Sequence, residues 1–74
     1  MAAMHKQAQR IVDKFGGPRR LAYAAGLEPS RVYRWLYPKD RGGTGGIIPS
    51  AAVAQVQQAA MVANVALTPE DWAP

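Results

Sequence analysis

The sequence predicts an all-α fold, a compact single domain of four to five short helices, and three observations carry that prediction. Apolar residues recur at three- and four-residue spacing in successive stretches, as they do on one face of a helix. Glycine and proline fall between those stretches, where helices stop and start. No segment alternates apolar and polar residues over the length a strand needs. A chain of 74 residues has room for one such core.

Ala8, Ile11, Val12 and Phe15 form one stripe and predict a helix over about residues 4–15. Lys6, Gln7, Gln9, Arg10, Asp13 and Lys14 fill its wet face. Gly16 and Gly17 end it, and Pro18 opens a second helix over residues 18–25, because proline lacks only an N–H that the first turn leaves unpaired. Leu21, Ala22 and Ala25 face inward there, Arg19, Arg20 and Tyr23 outward, and Gly26 stops it. Pro29 starts the third helix, "PSRVYRWL", with Val32, Trp35 and Leu36 on one side and Ser30, Arg31, Tyr33 and Arg34 on the other. After a Gly-rich loop at 38–47, a fourth helix is expected from about residue 48 to 63, with Val53, Val56, Ala60 and Asn64 as its core stripe. "LTPEDW" then predicts a one-turn helix capped by Thr68, with Pro69 first and Glu70 and Asp71 at the positive end of its dipole.

Composition narrows function. Without cysteine there are no disulfides and no thiolate metal sites, and a lone histidine, His5, makes no metal centre. No cofactor and no small-molecule ligand is expected. The opening "MAAMHKQAQR" has no apolar signal core, and no run is apolar for the length of a membrane span. A cytoplasmic, nucleoid-associated protein is the expectation. The net charge of +4 is unevenly spread: residues 1–41 hold all nine Lys and Arg against three acids, and residues 42–74 hold only Glu70 and Asp71. A basic half interleaved with Tyr and Trp suits a polyanionic partner. The same composition also fits ordinary solvated cations.

The spacing within "PRRLAYAAGLEPSRVYRWL" is that of a helix-turn-helix over about residues 18–37. A small residue, Ala22, lets two helices approach closely, and Gly26 permits the positive φ of a short turn. Leu27, Val32 and Trp35 pin the second helix to the core and leave its other face free. In these residues the chain resembles the Cro-type helix-turn-helix family of phage and prophage regulators, including the YdaS-like group. The resemblance is closest over residues 11–36, and the blocks "YPKDRGGTGGIIP" and "LTPEDW" also look like those of small prophage-type members. One departure is Glu28, which stands where that family often has a capping Ser or Thr.

The resemblance implies a transcriptional repressor that binds double-stranded DNA with its third helix in the major groove. Ser30, Tyr33 and Arg34 then occupy positions that reach base edges, and Arg31 lies on the flank. Arg34 suits guanine, since a guanidinium bonds O6 and N7 together. A surface arginine paired with Glu28 is the plainer alternative. Tyr33 can equally pack on the loop, and Trp35 belongs to the core. Arg19 and Arg20 suit phosphates because they begin a helix, whose N-terminus attracts anions. Lys39, Arg41 and Thr44, with the bare glycine amides, are expected along the DNA backbone, and Ile47 and Ile48 anchor the loop. A merely flexible connector is the alternative.

The glycines spell no nucleotide motif. No Lys follows Gly45 or Gly46 as a P-loop requires, the dinucleotide pattern begun at Gly43 fails at Ile48, and no strand precedes the run. No nucleophile–base pair is available either, so an enzyme is not expected. Residues 42–69 carry no charge at all. A fourth helix apolar all round predicts burial on more than one side, hence a homodimer through residues 48–74 that matches a palindromic operator. Leu67 and Trp72 either cap the core or join that interface, and an alanine-rich helix that tolerates exposure is the simpler case. Two other classes stay open: an antitoxin-like interaction module with secondary DNA binding, and a non-specific nucleoid or RNA binder.

Overall fold

Proline and glycine set the helix boundaries in the computed structural model, which describes residues 6–73. Helix α1 spans Gln7–Phe15, α2 Pro18–Ala25, α3 Pro29–Leu36 and α4 Ser50–Ala63, and single 3-10 turns occupy Lys39–Arg41 and Pro69–Trp72. The described residues contain no strand, so the fold is all-helical. Pro18 and Pro29 stand in the first turns of α2 and α3, as expected. The first helix begins later than its stripe predicts: Lys6 is an extended N-cap, and the expected start at Met4 and His5 lies outside the described residues.

Three helices end alike. Gly16, Gly26 and Asn64 take the left-handed conformation after α1, α2 and α4. The next residue's N–H then reaches back across the last turn: Gly17 to Val12 O (3.0 Å), Leu27 to Ala22 O (2.9 Å) and Val65 to Ala60 O (2.8 Å). These bonds occupy carbonyls that a helix end otherwise leaves open.

Helix α2 is the hub, packed against α1, α3 and α4. Its small inner residues permit this, since Ala22 and Leu21 are fully buried while Ala24 and Ala25 are partly so. Around them close Ile11, Val12 and Phe15 of α1, Val32 and Trp35 of α3, Ile48, and Ala52, Val56, Ala59 and Ala60 of α4. Each large aliphatic side chain among these contributes about 1.5–3 kcal/mol by leaving water. The radius of gyration is 11.4 Å, against about 11.3 Å for a compact chain of this length.

The buried stripe of α4 is Ala52, Val56, Ala59 and Ala60, rotated from the one expected. Val53 is only half-buried, and Asn64 is the exposed left-handed cap, its φ of 58° tolerated because its short amide side chain suits that conformation. Small alanines make the contact because α4 lies close against α2.

Gln7, expected on the wet face, is buried. Its Nε2 donates to Trp72 O (2.6 Å), and its Oε1 accepts from Ile48 N–H (2.8 Å). With it, Arg10 and Lys14 hold the last residues against α1. Arg10 donates to the carbonyls of Glu70 and Asp71 (both 3.4 Å) and of Ala73. The Lys14 ammonium pairs with Asp71 Oδ2 at 2.6 Å, and the same carboxylate accepts from Thr68 N–H (2.8 Å) and the Thr68 hydroxyl (3.1 Å). Leu67 and Trp72 are thereby packed against the core, both partly buried.

Hydrogen bonding from Lys14, then from the Thr68 main chain, holds the Asp71 carboxyl below its ordinary value and outweighs the opposing effect of burial. A depressed folded value means that the stabilisation is complete above the unfolded value, about 4, and drains as pH falls through the lower folded one. Asp71→Ala is therefore expected to cost about 1 kcal/mol at neutral pH, as for other lost caps. Urea melts at pH 7 and at pH 2.5 check it: the gap between wild type and variant should narrow in acid, and an equal gap at both pH values would refute the assignment.

Candidate nucleic-acid interface

Helix α3 shows two unlike faces. Val32 is fully buried, Trp35 is 3 % exposed, and Leu36 packs against the core. Ser30, Arg31 and Arg34 are exposed and Tyr33 is half-buried. The α2–α3 turn makes this orientation possible. Gly26, at φ 70°, reverses the chain, and Leu27 drops into the core immediately after it. Glu28 caps α3 through its backbone only, with no side-chain bond to the helix end. Among the described residues it forms no ion pair with Arg34, so the Glu28–Arg34 pairing is not formed.

Arg31 and Arg34 border one open groove of about 270 Å³, whose other walls are Trp35, Gly42, Thr44 and Pro49. No acid lines it. Ser30 and Tyr33 stand on α3 outside it. Arg19 and Arg20 are exposed at the start of α2. The Arg20 stem turns back over the α1–α2 corner, where its Cδ would lie 3.0 Å from a Cβ at Gly16. Its charge thus also faces the negative end of the α1 dipole. Lys39 and Arg41 are exposed on the 3-10 turn that follows α3, a turn the sequence reading places in irregular loop.

The loop is built, not loose. Gly42 N–H bonds Lys39 O (3.1 Å), Gly43 N–H bonds Pro38 O (3.0 Å), Thr44 N–H bonds Arg34 O (3.0 Å) and Gly45 N–H bonds Tyr37 O (2.9 Å). These four amides are engaged inside the protein, which corrects the expectation of bare amides laid along a backbone. Thr44 is also turned inward: its hydroxyl lies against the carbonyls of Trp35 (3.2 Å) and Ile47 and accepts the Ile47 N–H (3.2 Å). Only one of the two isoleucines anchors the loop, since Ile48 is buried while Ile47 is 38 % exposed.

Helix α4 turns a neutral face outward. Ala51, Ala54, Gln55, Gln58, Met61 and Val62 are exposed, Met61 by 77 % and Val62 by 72 %. Beside them opens a cleft of about 500 Å³ bounded by the end of α4, residues 64–67 and Trp72. Among the described residues no helix is long and apolar enough to cross a membrane.

Tyr23, expected outward on α2, is 90 % exposed, four residues from Arg19 and so on the same helical face. One contact is not legible in the sequence. Lys6 lies against the far end of the Gly-rich loop, where its stem crosses Gly46. The partner is a glycine forty positions away, and spacing along the chain does not encode it. The fold and surface together define a compact helical domain with one cationic helix-and-loop face and one neutral apolar face. No family model matches the chain, and comparison with curated proteins and with solved structures returns no match.

Proposed function

We propose that this chain is a sequence-specific double-stranded DNA-binding transcriptional regulator, a repressor of the Cro-like prophage type, in which α2 and α3 form a helix-turn-helix. The observation that carries the reading is the division of α3: Val32 and Trp35 lock it to the core while Ser30, Arg31 and Arg34 remain exposed. A helix held by one face and polar on the other is what the major groove admits. Ser30, Tyr33 and Arg34 reach base edges. Arg19, Arg20, Arg31, Lys39 and Arg41 serve phosphates, which hold the register and make affinity strongly salt-dependent. Thr44 acts by fixing the loop rather than by touching DNA.

The regulator acts as a two-fold dimer through α4 and the tail, so that two copies of α3 meet half-sites about one helical turn apart. The exposed Met61 and Val62 and the absence of charge from 42 to 69 support that surface. Val62→Lys is expected to leave the circular dichroism spectrum unchanged and to turn a dimer into a monomer at tens of micromolar in sedimentation. A variant that stays dimeric would place the interface elsewhere.

The same neutral face favours a second reading, an antitoxin-like module that covers a partner protein and binds DNA secondarily. Selection from a random-sequence DNA pool across a salt titration separates them. A palindromic consensus supports the regulator, uniform weak binding supports a nucleoid-type binder, and no binding supports the partner module.

A further inference from the structure

The cations around the Gly-rich loop come from three places in the chain, and the fold lines them up along five consecutive residues. At Gly42 and Thr44 the loop walls the groove that Arg31 and Arg34 border. At Gly45 the Lys39 stem lies alongside, its Cγ 3.4 Å from where a Cβ would stand. At Gly46 the stem of Lys6 lies flat on the backbone, so that a Cβ there would collide with its Cβ, Cγ and Cδ. The contact with Lys6 is fixed from below, because Ala8 N–H bonds Gly46 O (2.8 Å) and Gln7 Oε1 accepts the Ile48 N–H (2.8 Å).

Both lysines are exposed. Neither ammonium has a hydrogen-bond or ion-pair partner among the described residues, and Asp40, the one acid of the neighbouring turn, pairs with neither. Adjacent Cα atoms are about 3.8 Å apart, so the two lysine stems meet the loop at neighbouring residues, Gly45 and Gly46. Glycine is what allows it: with no side chains beneath, apolar stems lie on the backbone and the charged ends reach water. Stems already laid down lose less rotamer entropy on meeting a ligand than free ones. With the amides of Gly42, Gly43, Thr44 and Gly45 engaged internally, the loop offers a ligand side-chain cations along those residues.

We propose that the Gly-rich loop is a track for the phosphodiester backbone of duplex DNA, running from Arg31 to Lys39, with Lys6 as its terminal phosphate ligand. The proposal rests on the DNA-binding reading and adds to it a contact from the N-terminal edge of α1, outside the helix-turn-helix.

Fluorescence anisotropy on a selected duplex and on a random-sequence duplex, each over a range of KCl, tests it with Lys6→Ala, Lys39→Ala, the double variant and Lys6→Arg. Each alanine should flatten the slope of log affinity against log salt by about 0.9, weaken both duplexes several-fold and leave base preference unaltered, while Lys6→Arg restores the wild-type slope. A wild-type slope in Lys6→Ala, or a change of base preference, overturns the track while leaving the regulator reading intact. If the wild type prefers no sequence yet Lys6→Ala still flattens the slope, the regulator reading fails and the track stands. Amide NMR at Gly45 and Gly46 separates the source of phosphate: shifts induced by duplex but not by equal inorganic phosphate support the track, and equal shifts by both overturn it in favour of a free-anion site.

Discussion

Trp35→Ala is expected to remove about 3–5 kcal/mol of stability, a large share of the total. Trp35 is the largest side chain in the core, 3 % exposed, on the inner face of α3. Removing a buried Trp or Phe costs about 3–5 kcal/mol, since burial is lost and a cavity remains. A domain of this size is held by only about 4–11 kcal/mol, without disulfides to limit the unfolded chain. The backbone there is held in place, because the Trp35 carbonyl also receives the Thr44 hydroxyl. Far-UV circular dichroism against temperature reads the outcome. A variant that melts within a few degrees of wild type would mean that Trp35 contributes to the surface and not to the core.

The second large effect concerns binding. On the proposed function, Arg34→Ala is expected to weaken binding to the preferred duplex by about 1–3 kcal/mol and to relax preference at one base pair per half-site, as loss of a bidentate guanine contact does. The fold should tolerate the change, because Arg34 holds the loop through its backbone: its carbonyl accepts the N–H of Thr44 (3.0 Å) and of Tyr37 (3.2 Å). Arg41→Ala, on the 3-10 turn, should instead weaken all sequences about equally and reduce the salt slope by about 1. Binding measured against a panel of single-base operator variants distinguishes the two. Equal behaviour of both variants would mean that α3 does not read bases through Arg34.

How much of this was legible depends on how local its cause is. The bounds of α2 and α3 are written as Gly-Pro and Gly-Leu-Glu-Pro, because a helix end needs a left-handed residue and its successor tolerates a missing N–H. The inner faces of α1 and α3 are legible too, since Ile11, Val12, Val32 and Trp35 contrast sharply with their charged neighbours. Helix α4 has no such contrast. Alanine carries little hydrophobic signal, and in an uncharged helix Val53 and Ala52 compete equally, so the buried stripe is set by the close approach to α2. The α3 residues of the candidate site are placed on one face by helical spacing alone. Its loop is not, because the inward turn of Thr44 and the bed for Lys6 depend on carbonyls and stems brought from elsewhere. Gln7 is the same case, a polar residue buried because its partners, Trp72 O and Ile48 N–H, come from distant parts of the chain.

The bonds from Gln7, Arg10 and Lys14 to the tail have a consequence for biosynthesis. They join residues as much as 65 positions apart in the chain, whereas the α1–α2–α3 contacts are among near neighbours. A ribosome delivers α1 first and residues 68–73 some sixty residues later, and contacts of long sequence separation form last. The polar face of α1 is therefore expected to stay open to water until the tail is made, whereas the contacts among α1, α2 and α3 can form earlier. Closure of that tail over α1 is therefore expected to be a late event in the folding of the chain.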